Sequence, residues 1–389
     1  MKTRHFLAIT LIAAFSLLAE SLRAYDFSYA YQNQILYYTI TSSTTVEVAT
    51  DSLGSTPLIG QVIIPSQVSD SNGTTYDVTS IGDNAFYNRT KMTNIEIPSS
   101  ITSIGYAAFY GCSALTIVNI PSSVTFIDKY AFAFCSSLIK VELPPPITNI
   151  SMATFTSCIS LTDITLPASI TTIDSSAFNN CSSLKNINIP PTVTTLDYYA
   201  FYKCTSLTSI NIPASVTTIN LGVFGGCSSL DTVIINANSL CKKFWAEGDI
   251  SPRYLIVGDS VTTIGHYAFA DCGSLESIFL PNTILSIGVS AFYNCSNLTS
   301  IELPTSLTTI NDYTFGYCSS LKSIVLPNTI TSIGNYAFNG CSSLTGIDIP
   351  VSVTSLGSNA FSGCASLTSI ELHTSFTDIG NYTFKDCIS

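Results

Sequence analysis

A cysteine returns every 23 residues along most of this chain: Cys112, Cys135, Cys158, Cys181, Cys204 and Cys227, then Cys272, Cys295, Cys318, Cys341, Cys364 and Cys387. A fixed period of this length means one small unit, copied and stacked, in which each copy completes the core of its neighbour. Such an array has no single pocket by default. It has a long surface, and the informative residues on it are those that differ between copies.

Counted from the residue after each cysteine, the unit reads S-S-L-T-S-I-x-I-P-x-S-V-T-S-I-G-x-Y-A-F-x-G-C. In the copy Ser342–Cys364, Ile347 and Ile349 alternate with Gly346 and Asp348, the period-two pattern of a short strand with one buried face. Proline follows the strand in ten copies, from Pro98 to Pro350, and ends ladder pairing because it has no N–H. The β-branched V-T-S-I run predicts a second short extended segment. The glycine after it, as at Gly105, Gly265 and Gly334, predicts a tight bend on a permissive backbone. The remaining N-Y-A-F-x-G-C segment has room for about one or two helical turns. Phenylalanine holds one place in all thirteen copies, from Phe86 to Phe384, which predicts an aromatic ladder inside the stack.

Leu344-x-x-Ile347-x-Ile349 resembles the leucine-rich repeat pattern L-x-x-L-x-L, and the whole unit is similar to that of the BspA-like (LRR_5) branch. The resemblance covers about residues 78–389 and implies a leucine-rich-repeat solenoid of about 13 stacked 23-residue coils. Each coil would carry a short parallel β-strand and a short helical turn. Where the family usually has asparagine, three places after the strand, this chain has Ser100, Ser123, Thr192 or Ser352, so a hydroxyl must satisfy the turn's backbone groups. Residues 25–77 look like the start of Bacteroidetes members of the group. There Ile35–Ile40, Thr45–Val48 and Val62–Pro65 read as strands of a β-rich N-terminal cap over the apolar end of the stack.

Residues 1–24 read as a cleaved export signal: Lys2, Arg4 and His5 precede the apolar run Phe6–Ala19, which is too short to span a bilayer. No later segment is apolar enough to be a transmembrane helix. Cleavage after Ala24 removes three cations and one anion, moving the formal charge from −11 to −13. A chain so acidic is a poor partner for phosphate backbones, which excludes nucleic acid. The expected setting is therefore secreted or cell-surface. The sequence stops at Ser389 inside a unit, which leaves three readings open: a fragment, an exposed last coil, or pairing with another molecule.

Adjacent coils at strand spacing, about 4.8 Å, would hold the side chains of the cysteine row parallel and their Cβ atoms beyond the usual disulfide separation. A linear row also cannot surround a metal ion tetrahedrally, so no metal or cofactor is expected. Buried thiols acting as small hydrophobes are the preferred reading, although an oxidising compartment normally favours pairing. Cys241 is out of register and stays open between burial and exposure. No catalytic residue is assigned. His266 and His373 carry no accompanying motif and read as surface substitutions, and among the strand carboxylates only Asp348 and Glu371 are neighbours in the stack.

The outward strand site between the two core positions carries, along the stack, Glu96, Asn119, Glu142, Thr165, Asn188, Asn211, Ile234, Ile256, Phe279, Glu302, Val325, Asp348 and Glu371. Ile234, Ile256 and Phe279 are consecutive, Val325 follows one coil beyond Glu302, and Tyr254 shares the face of Ile256. Contiguous exposed apolar residues mark a contact site. They coincide with an irregular copy near residues 228–258, where Cys227 to Cys272 spans 45 residues and Trp245 offers a possible anchor. The alternative is a degenerate coil in which these residues strengthen the sheet. The resemblance implies a non-enzymatic adhesin-type module recognising a host matrix or cell-surface protein. A structural spacer or assembly element of the envelope without its own ligand is the second reading.

Overall fold

The computed structural model describes residues 25–51, 57–238 and 251–389, so the export signal, Cys241 and Trp245 lie outside the described residues. Among those described, the chain is a leucine-rich-repeat β-solenoid of about 13 turns of about 23 residues. It divides into two compact units, one ending at Ile147 and adding Thr154–Leu161, the other combining Thr148–Ala153 with Thr162–Ser389.

The first unit opens with β1 (Phe27–Tyr31), β2 (Gln34–Ile40) and β3 (Thr45–Ala49), an antiparallel meander that buries Leu36, Tyr38, Val46 and Val48. After β4 (Gly60–Ile63) come β5 (Gln67–Ser69) and β6 (Thr75–Ile81), which pair with each other antiparallel. β3 pairs in parallel with β6, and β6 with Ser103–Ile104, while β4 pairs in parallel with Met92–Glu96. The meander thus extends the same parallel rows that the coils build. Arg89 stands at the place that later coils give to cysteine, and its guanidinium pairs with the buried carboxylate of Asp51 at 3.6 Å.

In the second unit the coils build two parallel rows of short strands. One row includes Ser209–Ile212, Thr232–Ile235, Tyr254–Val257 and Ser277–Phe279, paired in register. The other includes Thr309–Ile310, Ser332–Ile333, Ser355–Leu356 and Asp378–Ile379, the extended segment predicted from V-T-S-I. Proline ends the first strand and accepts the N–H three residues on, as Pro327 does from Ile330 at 3.0 Å.

The expected helical turn is absent: among the described residues there is no helix. The segment around each phenylalanine contains two left-handed residues four apart, for example Ala107 and Gly111 (φ 49° and 70°) or Tyr313 and Tyr317 (φ 55° and 60°), and a right-handed helix cannot continue through them. N–H groups here alternate in direction. Ala108, Tyr110 and Cys112 donate to carbonyls three residues back, whereas Ala107, Phe109 and Gly111 donate to Lys129, Ala131 and Ala133 of the next coil at 2.7–3.0 Å. A helix would use all of these donors internally. The turn segment instead uses half of them to join coils.

Two further expectations change in detail. Gly105 and Gly334 do not have positive φ. They are small because the coils approach there, and a Cβ at Gly105 would lie 2.8 Å from the Asp83 backbone nitrogen. The hydroxyls replacing asparagine reach across coils rather than into their own turn: Ser123 donates to Ile101 O at 2.6 Å, and Ser352 to Ile330 O at 2.7 Å.

The phenylalanines form the predicted ladder. In the first unit Phe86, Phe109, Phe132 and Phe155 stack with centroids 5.0–5.7 Å apart. In the second, Phe269 to Phe384 stack at 5.3–5.8 Å. Beside them runs the row of buried thiols. Each Sγ–H that can be traced donates to the phenylalanine carbonyl of the preceding coil, as Cys112 does to Phe86 at 3.0 Å and Cys318 to Phe292 at 3.2 Å. Burial pushes the Cys158 and Cys318 thiols up to about 12, far from the thiolate needed for exchange chemistry.

Phe292 sits 5.6 Å from both ring neighbours, so Phe292→Ala should lower the stability to denaturant by about 3–5 kcal/mol, and Phe292→Leu by much less. A loss under about 1 kcal/mol for the alanine variant would show that the ladder is not a close-packed core. In a Cys241→Ser variant at pH 8, a thiol reagent should label at most the half-buried Cys387 in the folded protein and all twelve cysteines after denaturation. Rapid native labelling of several would show that the row is open to solvent.

Candidate protein-binding face

Period-two alternation in the strands of the second unit buries Val233, Leu255 and Ile278 and turns their neighbours outward. Parallel register then places Ile234 beside Ile256 and Ile256 beside Phe279. Ile256 is 39% exposed and Phe279 57%, so two large apolar side chains lie open to solvent in adjacent coils. Tyr254 is exposed on the same face, in register with Thr232 and Ser277.

Two of the six residues singled out from sequence differ from this pair in exposure or neighbours. Ile234 is half-buried; it pairs with Asn211, whose side chain accepts from Asn236 at 2.8 Å across the same edge. Val325 is 79% exposed, but its register partner is Glu302, which separates it from Phe279. Trp245 falls outside the described residues.

One edge of the exposed pair is framed by charge. Arg253, just before the Tyr254–Val257 strand, makes two parallel 2.9 Å bonds to the Glu276 carboxylate of the next coil and lies 3.7 Å from Asp231 of the preceding one. Its guanidinium also lies over the Tyr254 ring, 5.1 Å from the centroid, and donates to the Tyr254 hydroxyl at 3.1 Å. The hydrogen-bonded guanidinium holds the Glu276 carboxyl below its usual range. A bidentate pair of this kind fixes Tyr254 against the sheet more firmly than a single contact. Sequence reasoning missed the clasp, although the signal was available: Arg253 and Glu276 are 23 residues apart, the same place in successive coils.

Beyond Phe279 the face turns acidic. Glu302, Asp348 and Glu371 are exposed at the same outward site, and the neighbouring outward positions Ser300, Ser323, Gly346 and Ser369 are small and uncharged. In the first unit, by contrast, Glu142 is paired on the sheet with Lys140 at 2.7 Å. The turn side of the second unit also carries packed tyrosines, Tyr313 and Tyr336 stacking at 4.6 Å and Tyr293 meeting Tyr317 edge-on at 5.4 Å, a grouping hidden when this segment is read as helical.

The two histidines among the described residues are tied into coil stacking. His266 Nδ1 accepts the Val289 N–H at 3.0 Å, and His373 Nε2 lies 2.8 Å from Ile349 O. Among the described residues no group of three or more His, Cys, Asp or Glu side chains is placed to hold a metal ion, and no helix is long and apolar enough to cross a membrane.

The repeat geometry agrees with comparisons to known proteins. The family model of the BspA type leucine rich repeat region matches residues 70–158, 148–247 and 262–389, with six copies. A leucine-rich repeat protein from Bacteroides ovatus is 34% identical over 94% of this chain and 93% of its own, with a TM-score of 0.69. A leucine rich cell surface protein from Faecalibacterium prausnitzii is 31% identical over 89% of this chain and 94% of its own, with a TM-score of 0.50. No curated protein matches the chain. With the family pattern running in register through most of the coils, the chain belongs to the BspA-type leucine-rich repeat family.

Proposed function

We propose that this chain is an exported adhesin-type binding protein that takes a host matrix or cell-surface protein on the sheet face around Ile256 and Phe279. The observation that carries the reading is the adjacency of these two exposed apolar side chains at outward strand sites, where most other coils place asparagine or a carboxylate. Keeping such a pair in water is unfavourable, and a partner that covers it gains the burial of both side chains. The Arg253–Glu276 clasp supports the reading because it holds Tyr254 in place before any partner arrives, which lowers the ordering entropy of binding.

Leucine-rich repeat proteins are generally protein–protein interaction modules, and the similar Faecalibacterium protein is described as a cell surface protein. The charged, apolar and cleavable start of the sequence supports an exported setting. Tyr254, Ile256 and Phe279 are the residues assigned to contact, with Ile234 and Val325 at the margin.

The chain lacking residues 1–24 should bind at least one of a panel of purified matrix proteins (collagen, laminin, fibronectin) saturably in biolayer interferometry. The double variant Ile256→Asp with Phe279→Asp should weaken that binding by about thirtyfold or more, the effect of losing about 2 kcal/mol at an interface anchor, with circular dichroism unchanged. Undiminished binding by the double variant would remove this face from the site. Failure to bind any matrix protein or host-cell surface would overturn the adhesin reading.

A further inference from the structure

The same outward column that exposes Ile256 and Phe279 continues through Glu302, Val325, Asp348 and Glu371, one coil at a time. Glu302, Asp348 and Glu371 are exposed, and none takes part in an ion pair among the described residues. Lys322, the nearest lysine along this edge, makes no ion pair with them among those residues either. The serines and glycine beside them leave the carboxylates standing above a low floor. An apolar pair therefore leads into three uncompensated negative charges, with the 79% exposed Val325 between the first and second.

Building on the proposed docking face, we propose that its partner is an extended, cationic protein segment: an apolar side chain seats on Ile256 and Phe279, and lysines or arginines further along reach Asp348 and Glu371. Charge complementarity selects this class, since an acidic segment would meet three like charges that nothing on the face offsets. Spacing supports it. Phe279 lies three coils from Asp348 and four from Glu371. At strand spacing these steps amount to about 14 and 19 Å. In an extended segment, the fourth and sixth residues after an anchor point the same way and lie about 13 and 20 Å from it. Val325 gives the aliphatic stem of a lysine or arginine a surface to lie on while its charged head remains beside a carboxylate.

The probe is a blocked ten-residue peptide with phenylalanine at position 3, lysine at positions 7 and 9, and serine or threonine elsewhere, labelled for fluorescence anisotropy. Its control carries glutamate in place of both lysines. At low salt the lysine peptide should bind the chain lacking residues 1–24. The variant Glu302→Gln with Asp348→Asn and Glu371→Gln should weaken it about tenfold, and the wild-type affinity alone should fall as salt is raised. Equal binding of the two peptides, or unchanged affinity in the neutralised variant, overturns the inference. If matrix-protein capture still depends on Ile256 and Phe279 in that case, the docking face stands and only the cationic partner is wrong. If the Ile256→Asp, Phe279→Asp variant alters neither peptide nor matrix binding, both fall together.

Discussion

Every coil in this protein must satisfy backbone donors and acceptors that its own short strands cannot satisfy alone, and it does so through its neighbours. Sheet pairs such as Ile234 with Ile256, paired segments such as Ser332 with Ser355, and turn donors such as Phe109 N to Ala131 O all run between coils. Unpaired backbone groups in a dry interior are expensive, so the coils form together or not at all. Coil length is thereby held close to 23 residues: where the offset shortens to 22, at Thr232 with Tyr254, the next pair, Tyr254 with Ser277, returns to 23.

From that constraint the composition of the interior follows. Coils held at strand spacing bring equivalent side chains close together, and parallel rings are accommodated there with a slight offset. The ladder centroids, 5.0–5.7 Å apart in the first unit, show that offset. A thiol suits the next position because it is small, apolar and able to donate weakly to the phenylalanine carbonyl of the preceding coil. Where the row begins, Arg89 replaces the thiol and meets Asp51, so the meander is joined to the first coil by a largely buried ion pair. Removing one partner of such a pair strands the other charge, which makes the junction specific.

Function, in this scheme, is written on positions that the ladder leaves undecided. An outward strand site contributes little to the core whatever occupies it, and it can hold glutamate, asparagine, isoleucine or phenylalanine without disturbing the coil. The run from Ile256 through Glu371 uses that freedom to set an apolar pair beside unpaired carboxylates. The Arg253–Glu276 clasp shows the same economy, since the repeat period alone brings the two residues together.

The repeat period by itself determined the coil count, the phenylalanine and cysteine rows, the inward and outward faces of the strands and the adjacency of Ile256 and Phe279, because a constant offset of 23 residues converts sequence separation into spatial contact. Tertiary structure decided what a period cannot encode. It replaced the helical turn with left-handed pairs whose N–H groups cross to the next coil, a choice set by the stacking partner and not by the propensity of N-Y-A-F-x-G-C. It gave the glycines a role in close approach, sent the serine and threonine hydroxyls to the preceding coil, and left Ile234 half-covered while Phe279 stayed open. Each of these depends on the distance between coils, a quantity that one copy of the unit does not contain.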